Sequence, residues 1–283
     1  MTVQQAYQAG LAILTDAKQP RFQQAGLLFE HVFGISRSRL PIVFSKPADE
    51  KKADEFLSLC RQLQAGTPLQ YLLGHWGFYG LDFMVGPGVL IPQPDTEVLV
   101  ETALELIKHS HLHCPVVYDL CSGSGCIAVT IGKQIPQSKV YALELSDQAF
   151  QYLKKNIKKN AAANVTPLHQ NVLTPNGLPS ADLILSNPPY IPTGDLAGLP
   201  SDVRQEPVMA LDGGADGLSF YKEILRLYFN LLKPGGWLAV EIGYNQGTKV
   251  AQLFQNNHYC KIQMRKDFGG NNRVVFGQKP LET

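Results

Sequence analysis

The sequence predicts an α/β fold: a doubly wound parallel sheet with an antiparallel C-terminal hairpin, preceded by a small helical bundle and a linking β-hairpin. Three observations predict it. Apolar residues recur at helical spacing before Ala65, strand-like and helix-like segments alternate from Asp95 onward, and the chain closes with two strand-like runs. Alternation of this kind builds a parallel sheet covered by helices, and runs that close together can pair only as an antiparallel hairpin.

The elements follow in order. Ala25, Leu28, Phe29, Val32 and Phe33 share one helical face, as do Ala53, Phe56, Leu57, Cys60 and Leu63, which makes residues 1–75 an expected helical domain. Trp76 to Leu90 carries aromatic and β-branched residues with Gly80 at a turn and Gly86-Pro87-Gly88 behind it. A linking β-hairpin is therefore expected within residues 76–92. The remaining domain, 93–283, starts with a helix from Asp95 to about Lys108. Then come a strand Val116 to Leu120, a helix Cys126 to Lys133, a strand Lys139 to Leu143 and a helix from Ser146. Strands at Val165 to Leu168 and Asp182 to Ser186 precede a helix from Leu218 to Leu232, stopped by Lys233-Pro234-Gly235-Gly236. A strand Trp237 to Ile242, a helix Gly247 to Gln255 and the runs Lys261 to Lys266 and Arg273 to Gly277 complete the sheet. Ile191 to Gly217 has little periodicity, and a loop of that length beside a site is expected to face substrate.

Composition bounds the function. The 283 residues are 45% hydrophobic and 17% charged, an ordinary globular balance with room for about two domains. No apolar run reaches ~18 residues and Met1-Thr2-Val3-Gln4-Gln5 lacks a basic start, so a cytoplasmic protein without a membrane segment is expected. Five cysteines without a C-x-x-C pair, and the alternating His109, His111 and His113, offer no metal-ligand set. With 25 Lys plus Arg against 24 Asp plus Glu, the chain lacks the positive field of a protein that neutralises many phosphates. Lys154, Lys155, Lys158 and Lys159 form a basic stripe, read as a solvated helix face.

Chemistry concentrates at two turns. Val116-Val117-Tyr118-Asp119-Leu120 runs into Cys121-Ser122-Gly123-Ser124-Gly125 and then a helix. Glycines there admit a ligand close to the backbone, and the helix start supplies unpaired N–H groups. Glu144, about twenty residues further on, ends the next strand where a carboxylate can bind both ribose hydroxyls. The turn alone fits a dinucleotide fingerprint equally well, leaving nicotinamide cofactors and S-adenosylmethionine both open. Two features favour the latter: Asp119 suits an ammonium or sulfonium and opposes a pyrophosphate, and a second turn suits methyl transfer to nitrogen.

That second turn is Asn187-Pro188-Pro189-Tyr190, after the apolar run ending at Ser186. The Asn187 side-chain carbonyl and the Pro188 backbone carbonyl can accept both hydrogens of a planar NH2, while Tyr190 offers a face for stacking. Two prolines stiffen the turn. Alignment of this kind can supply about 7 to 11 kcal/mol to a displacement without a strong base, and no general base is evident.

Leu90 to Glu97, Asp119 to Gly125, Asn187 to Ile191, Glu206-Pro207 with Ala210-Leu211, Leu232 to Gly236, Glu241-Ile242-Gly243, Asp267 to Gly270 and Arg273 to Val275 together resemble the HemK/PrmC family. The resemblance implies a class I S-adenosylmethionine-dependent methyltransferase sheet. It implies transfer of a methyl group to the side-chain N5 of the glutamine in the Gly-Gly-Gln motif of peptide-chain release factors, which are then the partners, with residues 1–75 docking the substrate. Asn187, Pro188 and Tyr190 are the implied catalytic residues, and Asn187 to Tyr190, Pro189 included, the substrate site. Donor contacts fall to Asp119, Cys121, Ser122, Gly123, Ser124, Gly125, Glu144, Asn171, Val172 and Asn187, with no metal. Three places depart from the family: Cys121 replaces a glycine, Gln93 an arginine, and Asn171-Val172 an acidic and an aromatic residue.

Other readings share these residues. An adenine- or cytosine-amino DNA methyltransferase would use the same turn but wants a basic groove; a ribosomal-protein glutamine methyltransferase would differ in its docking domain; a release-factor binder without activity would lack donor affinity.

Overall fold

The computed structural model describes residues 1–14 and 21–281. The chain divides into two compact units, Met1–His75 with Pro200–Gln205, and Trp76–Leu199 with Glu206–Thr283.

The first unit contains α1 (Val3–Ile13), α2 (Arg21–Phe33), α3 (Leu40–Val43), α4 (Glu50–Gln64) and α5 (Leu69–Leu73). Thr2 and Gln5 close a capping box on α1, with reciprocal bonds of 2.8 and 3.2 Å. Asp49 caps α4 by accepting from the Lys52 N–H at 3.1 Å. The apolar faces meet around Phe29 and Phe56, both fully buried and packed edge to face at 5.2 Å.

The hairpin of β1 (His75–Phe78) and β2 (Leu81–Met84), turning at Tyr79-Gly80, belongs to the second unit from Trp76 onward. Then follow α6 (Glu97–His109), β3 (Val116–Leu120), α7 (Cys126–Gln134), β4 (Lys139–Glu144), α8 (Asp147–Lys159), β5 (Val165–His169) and β6 (Ala181–Ser186). The remainder is α9 (Val208–Leu211), α10 (Ser219–Phe229), β7 (Leu232–Glu241), α11 (Gly247–Asn256), β8 (Cys260–Lys266) and β9 (Asn272–Gln278). One seven-stranded sheet has the order β5-β4-β3-β6-β7-β9-β8. Its first five strands are parallel, while β9 runs antiparallel to both β7 and β8, as the sequence predicts.

Both sheet faces are covered. Along β6, Leu183 and Leu185 join the core with α6 and α7, while Ile184 joins the opposite core with Tyr221, Tyr228 and Phe254 of α10 and α11. Strands buried on both sides read as continuous apolar runs, which is why Asp182 to Ser186 is legible as a strand.

Two expectations shift. β7 begins at Leu232 rather than Trp237, because Lys233-Pro234-Gly235-Gly236 continues as strand: the Gly235 N–H donates to the Lys279 carbonyl at 3.0 Å and the Lys279 N–H to the Gly236 carbonyl at 2.8 Å. The proline and glycines that read as a helix stop also sit where the register with β6 shifts, a place where a sheet tolerates them. The stretch from Ile191 to Gly217 carries short helical turns at Thr193–Gly198, Val203–Gln205 and α9, and it closes on itself through a bridge between Ile191 and Asp212.

Asn156, fully buried on α8, joins three elements. Its Oδ1 accepts from the Met84 N–H at 2.7 Å, and its Nδ2 donates to the carbonyls of Met84 at 3.0 Å and Ser124 at 2.9 Å. Every hydrogen-bonding position of the carboxamide on those two atoms except one lone pair is used.

Candidate active site

The chain runs outward from β3 to β4 and β5, then returns to β6 on the other flank of β3. This reversal leaves a crevice at the carboxyl ends of β3 and β6. Leu120 pairs with Ser186 at the end of that register, so the turns starting at Cys121 and Asn187 emerge side by side. The cleft encloses about 1040 Å³ of empty space counted out to its open mouth, solvent included.

Cys121, Ser122, Gly123, Ser124, Glu144, Asn171, Val172, Asn187 and Pro189 line this cleft. Asp119, Gly125, Pro188 and Tyr190 do not.

At the glycine turn, Gly125 has φ 81° and begins α7 without a side chain to cap it; a Cβ there would lie 2.5 Å from Leu153 Cδ1. Asp119 supplies the cap from β3, its Oδ2 accepting from the Ala128 N–H at 3.1 Å, and its charge suits a helix N-terminus. The carboxyl is fully buried and its Oδ1 has no hydrogen-bond partner among the described residues. Burial pushes the Asp119 pKa up to about 7, against the Ala128 N–H and the Ser122 hydroxyl, with the charge of Glu144 adding to the rise. The sequence reading aims Asp119 directly at a donor cation; the structure sets it behind the lining, where it braces the turn. Cys121 takes φ 60°, the left-handed conformation a glycine adopts without strain.

Glu144 ends β4 with both oxygens engaged: Oε2 accepts from the Gly123 N–H and Oε1 from the Ser146 N–H, each at 2.7 Å. Each oxygen keeps a second lone pair for a diol. Asn171 spends its Oδ1 on the Leu173 N–H at 2.9 Å, and Val172 sits 5% exposed beside it, an apolar wall.

The Asn187 Nδ2 donates to Thr96 Oγ1 at 3.2 Å. The Tyr190 hydroxyl donates to Glu241 Oε1 at 3.4 Å, and the Tyr190 carbonyl accepts from Gln246 Nε2 at 2.9 Å. Gly213 crosses so near that a Cβ would lie 2.7 Å from Tyr190 Cα, which fixes glycine at that position. Glu241 is 2% exposed, and its Oε2 has no partner among the described residues. Burial raises its pKa to about 7, opposed by the neighbouring Thr96 side chain and the charge of Arg273. Arg273 in turn bonds Asp95 at 2.9 Å and Asp267 at 3.1 Å. Glu206 accepts from the Ile91 N–H at 2.9 Å, and the residues after it, Pro207, Met209 and Ala210, line the cleft.

Thr96, Glu206, Glu241 and Arg273 lie within the runs that carry the family resemblance, yet the sequence assigns them no role. Apart from the Asp267 partner of Arg273, their partners are far away in the chain, so no local spacing announces them.

Among the described residues no group of three or more His, Cys, Asp or Glu side chains could hold a metal, and no helix is long and apolar enough to cross a membrane.

Residues 5–74 match the family model described as PrmC N-terminal domain, and residues 94–197 the methyltransferase small domain. A release factor glutamine methyltransferase of Geobacter sulfurreducens is 42% identical over 89% of this chain and 87% of its own length. The protein of the same name from Moorella thermoacetica is 39% identical over 100% of both chains. Among solved structures, the hMettl16 catalytic domain in complex with a MAT2A 3'UTR hairpin superposes with a TM-score of 0.58 at 18% identity, over 82% of each chain. A methyltransferase from Pyrococcus furiosus gives 0.54 at 20%, over 72% of this chain and 91% of that one. These two establish the fold alone, whereas the likeness to the Geobacter and Moorella proteins spans nearly the whole sequence. The chain belongs to the release factor glutamine methyltransferase family.

Proposed function

We propose that the protein methylates the side-chain N5 of the glutamine in the Gly-Gly-Gln motif of peptide-chain release factors, with S-adenosylmethionine as donor. The observation that carries this reading is the register of β3 with β6, which sets a nucleoside-binding turn and an amide-binding turn side by side at one crevice.

The cleft fits such a donor. Glu144 has free lone pairs for ribose hydroxyls, Val172 and Asn171 form an apolar wall with a polar edge for adenine, and the buried Asp119 carboxyl, with Oδ1 unpartnered among the described residues, offers a counter-charge behind the turn for a cationic end. The bound donor would supply an activated methyl on a sulfonium. The chain's own task is then to hold the acceptor. Asn187 Oδ1 and the Pro188 carbonyl accept the two N–H hydrogens of the glutamine amide, which turns its nitrogen lone pair toward the methyl. Tyr190, fixed through its hydroxyl by Glu241, offers its ring beside them. No strong base is required, since the N-methylated amide sheds its extra proton to water.

The helical unit of residues 1–75 docks the body of the release factor. A protein beginning at Trp76 should then bind donor yet methylate intact factor poorly.

Mass spectrometry of a release factor incubated with protein and labelled donor is the test. One methyl should appear on that glutamine, and a factor with Gln→Asn at the motif should stay inert. Label in duplex DNA but not in the factor would overturn the reading, and so would full activity of Asn187→Ala.

A further inference from the structure

We infer that Glu206 is a positioning residue for the acceptor: its carboxyl fastens residues 90–93 to the head of α9, so that the two stand as one wall of the cleft. This inference rests on the release-factor reading of the same cleft.

Both pieces need a fastener. Residues 90–93 belong to no helix or strand, and with Pro92 and Pro94 lacking an N–H the stretch has few donors with which to join a ladder. Its side chains nonetheless line the cleft, together with Asn187 and Pro189. α9 is a single turn, Val208–Leu211, too short to hold its shape by its own backbone bonds. Its far end is secured beside the amide-binding turn: the Ile191 N–H donates to the Leu211 carbonyl at 2.9 Å, and the Gly213 N–H to the Ile191 carbonyl at 2.8 Å. Its near end starts at Glu206-Pro207, where Glu206 Oε2 accepts from the Ile91 N–H at 2.9 Å, across 115 residues of sequence.

The bond is shut away from solvent. Glu206 is 7% exposed and Ile91 4%. A carboxyl held out of water is unfavourable unless it is hydrogen-bonded, so a glutamate at this place belongs to a fixed joint and not to a solvated loop. Met209 is 58% exposed yet lines the cleft, the adaptable apolar side chain that this wall offers to an entering glycine-rich loop. With the joint made, α9 is held at both ends while the glutamine amide is seated. With it lost, the head of α9 can swing from residues 90–93, and the acceptor is aligned less often.

The test separates reach from charge at Glu206. Glu206→Gln keeps an oxygen at full reach without the charge; Glu206→Asp keeps the charge one carbon short; Glu206→Ala keeps neither. On intact release factor, the Ala and Asp variants should lose roughly tenfold to a hundredfold in kcat/KM, and Glu206→Gln should recover most of it. Donor affinity by calorimetry should stay within about threefold of wild type in all three, with folding checked by thermal melting. Amide exchange at Ile91 should quicken in the Ala and Asp variants and stay slow in Glu206→Gln. If Glu206→Ala does not fold, the Asp and Gln pair carries the comparison. An Asp variant as active as wild type, or a Gln variant as impaired as Asp, would overturn the inference, since charge and not reach would then matter. A loss of donor affinity that matches the loss of rate would also overturn it, by assigning the joint to the donor. Wild-type protein that methylates no release factor would overturn the proposed function and the acceptor role with it, whereas unchanged Ile91 exchange in Glu206→Ala would overturn the joint alone.

Discussion

The Ser186 hydroxyl donates to the Leu120 carbonyl across 2.8 Å, joining β3 to β6 by a side chain at the last pair of their register. Both functional turns leave from this pair. Replacing Ser186 by Ala should lower stability by about 1 kcal/mol, read as a fall in the urea midpoint. An unchanged midpoint would show that the bond contributes nothing to the joint.

Glu144 holds two backbone N–H groups and faces the cleft. Glu144→Ala should weaken S-adenosylmethionine binding about tenfold to a hundredfold, since hydrogen bonds to charged groups contribute roughly 1.5 to 3 kcal/mol. Titration calorimetry with the donor, and with NAD as a control that should not bind, measures it. Tighter binding of NAD would reverse the assignment of the turn.

Asp119 and Glu241 carry the pH dependence. Burial raises both carboxyls to about 7, from 3.8 and 4.5 respectively, so the folded state holds protons that the unfolded state releases. Their contribution to stability is full below about pH 4 and is lost as pH rises through 7. Ligand-free protein should accordingly melt at lower temperature at pH 8 than at pH 5. Asp119→Asn keeps an acceptor for the Ala128 N–H, so it should flatten this slope and raise the pH 8 melting temperature. A slope identical to wild type would remove Asp119 from the account.

Cys121 sits at φ 60°, a conformation that costs a side-chain-bearing residue roughly 1 to 2 kcal/mol. Cys121→Gly relieves that strain but frees the unfolded chain, and should leave stability within about 1 kcal/mol of wild type. Cys121→Val adds a β-branch in the same conformation and should be clearly less stable. Urea unfolding of the three proteins checks the order; a Val variant as stable as wild type would mean the turn has relaxed.

The alternation of strands and helices, the two turns and Glu144 were legible because each is written in contiguous residues: an apolar run, then glycine or proline, then a helix pattern. The start of β7 was not, since Pro234 and two glycines look like punctuation until the pairing of Gly235 with Lys279 supplies the ladder. The inner position of Asp119 escaped for a similar reason. Sequence puts a carboxylate just before a ligand turn but does not say that Ala128, nine residues on, will claim it. Thr96 and Glu241 depend wholly on the sheet, which brings the head of α6 and the end of β7 to the Asn187 turn.

Asn156 has a consequence for linkage. Its carboxamide bonds the Met84 backbone and the Ser124 carbonyl at once, so opening the hairpin strand exposes a bond that also holds the glycine turn. Occupancy of that turn must then slow amide hydrogen exchange at Met84, and by reciprocity whatever clamps the hairpin must tighten occupancy by the same factor. The hairpin thus reports on the occupancy of the glycine turn to any method that reads exchange.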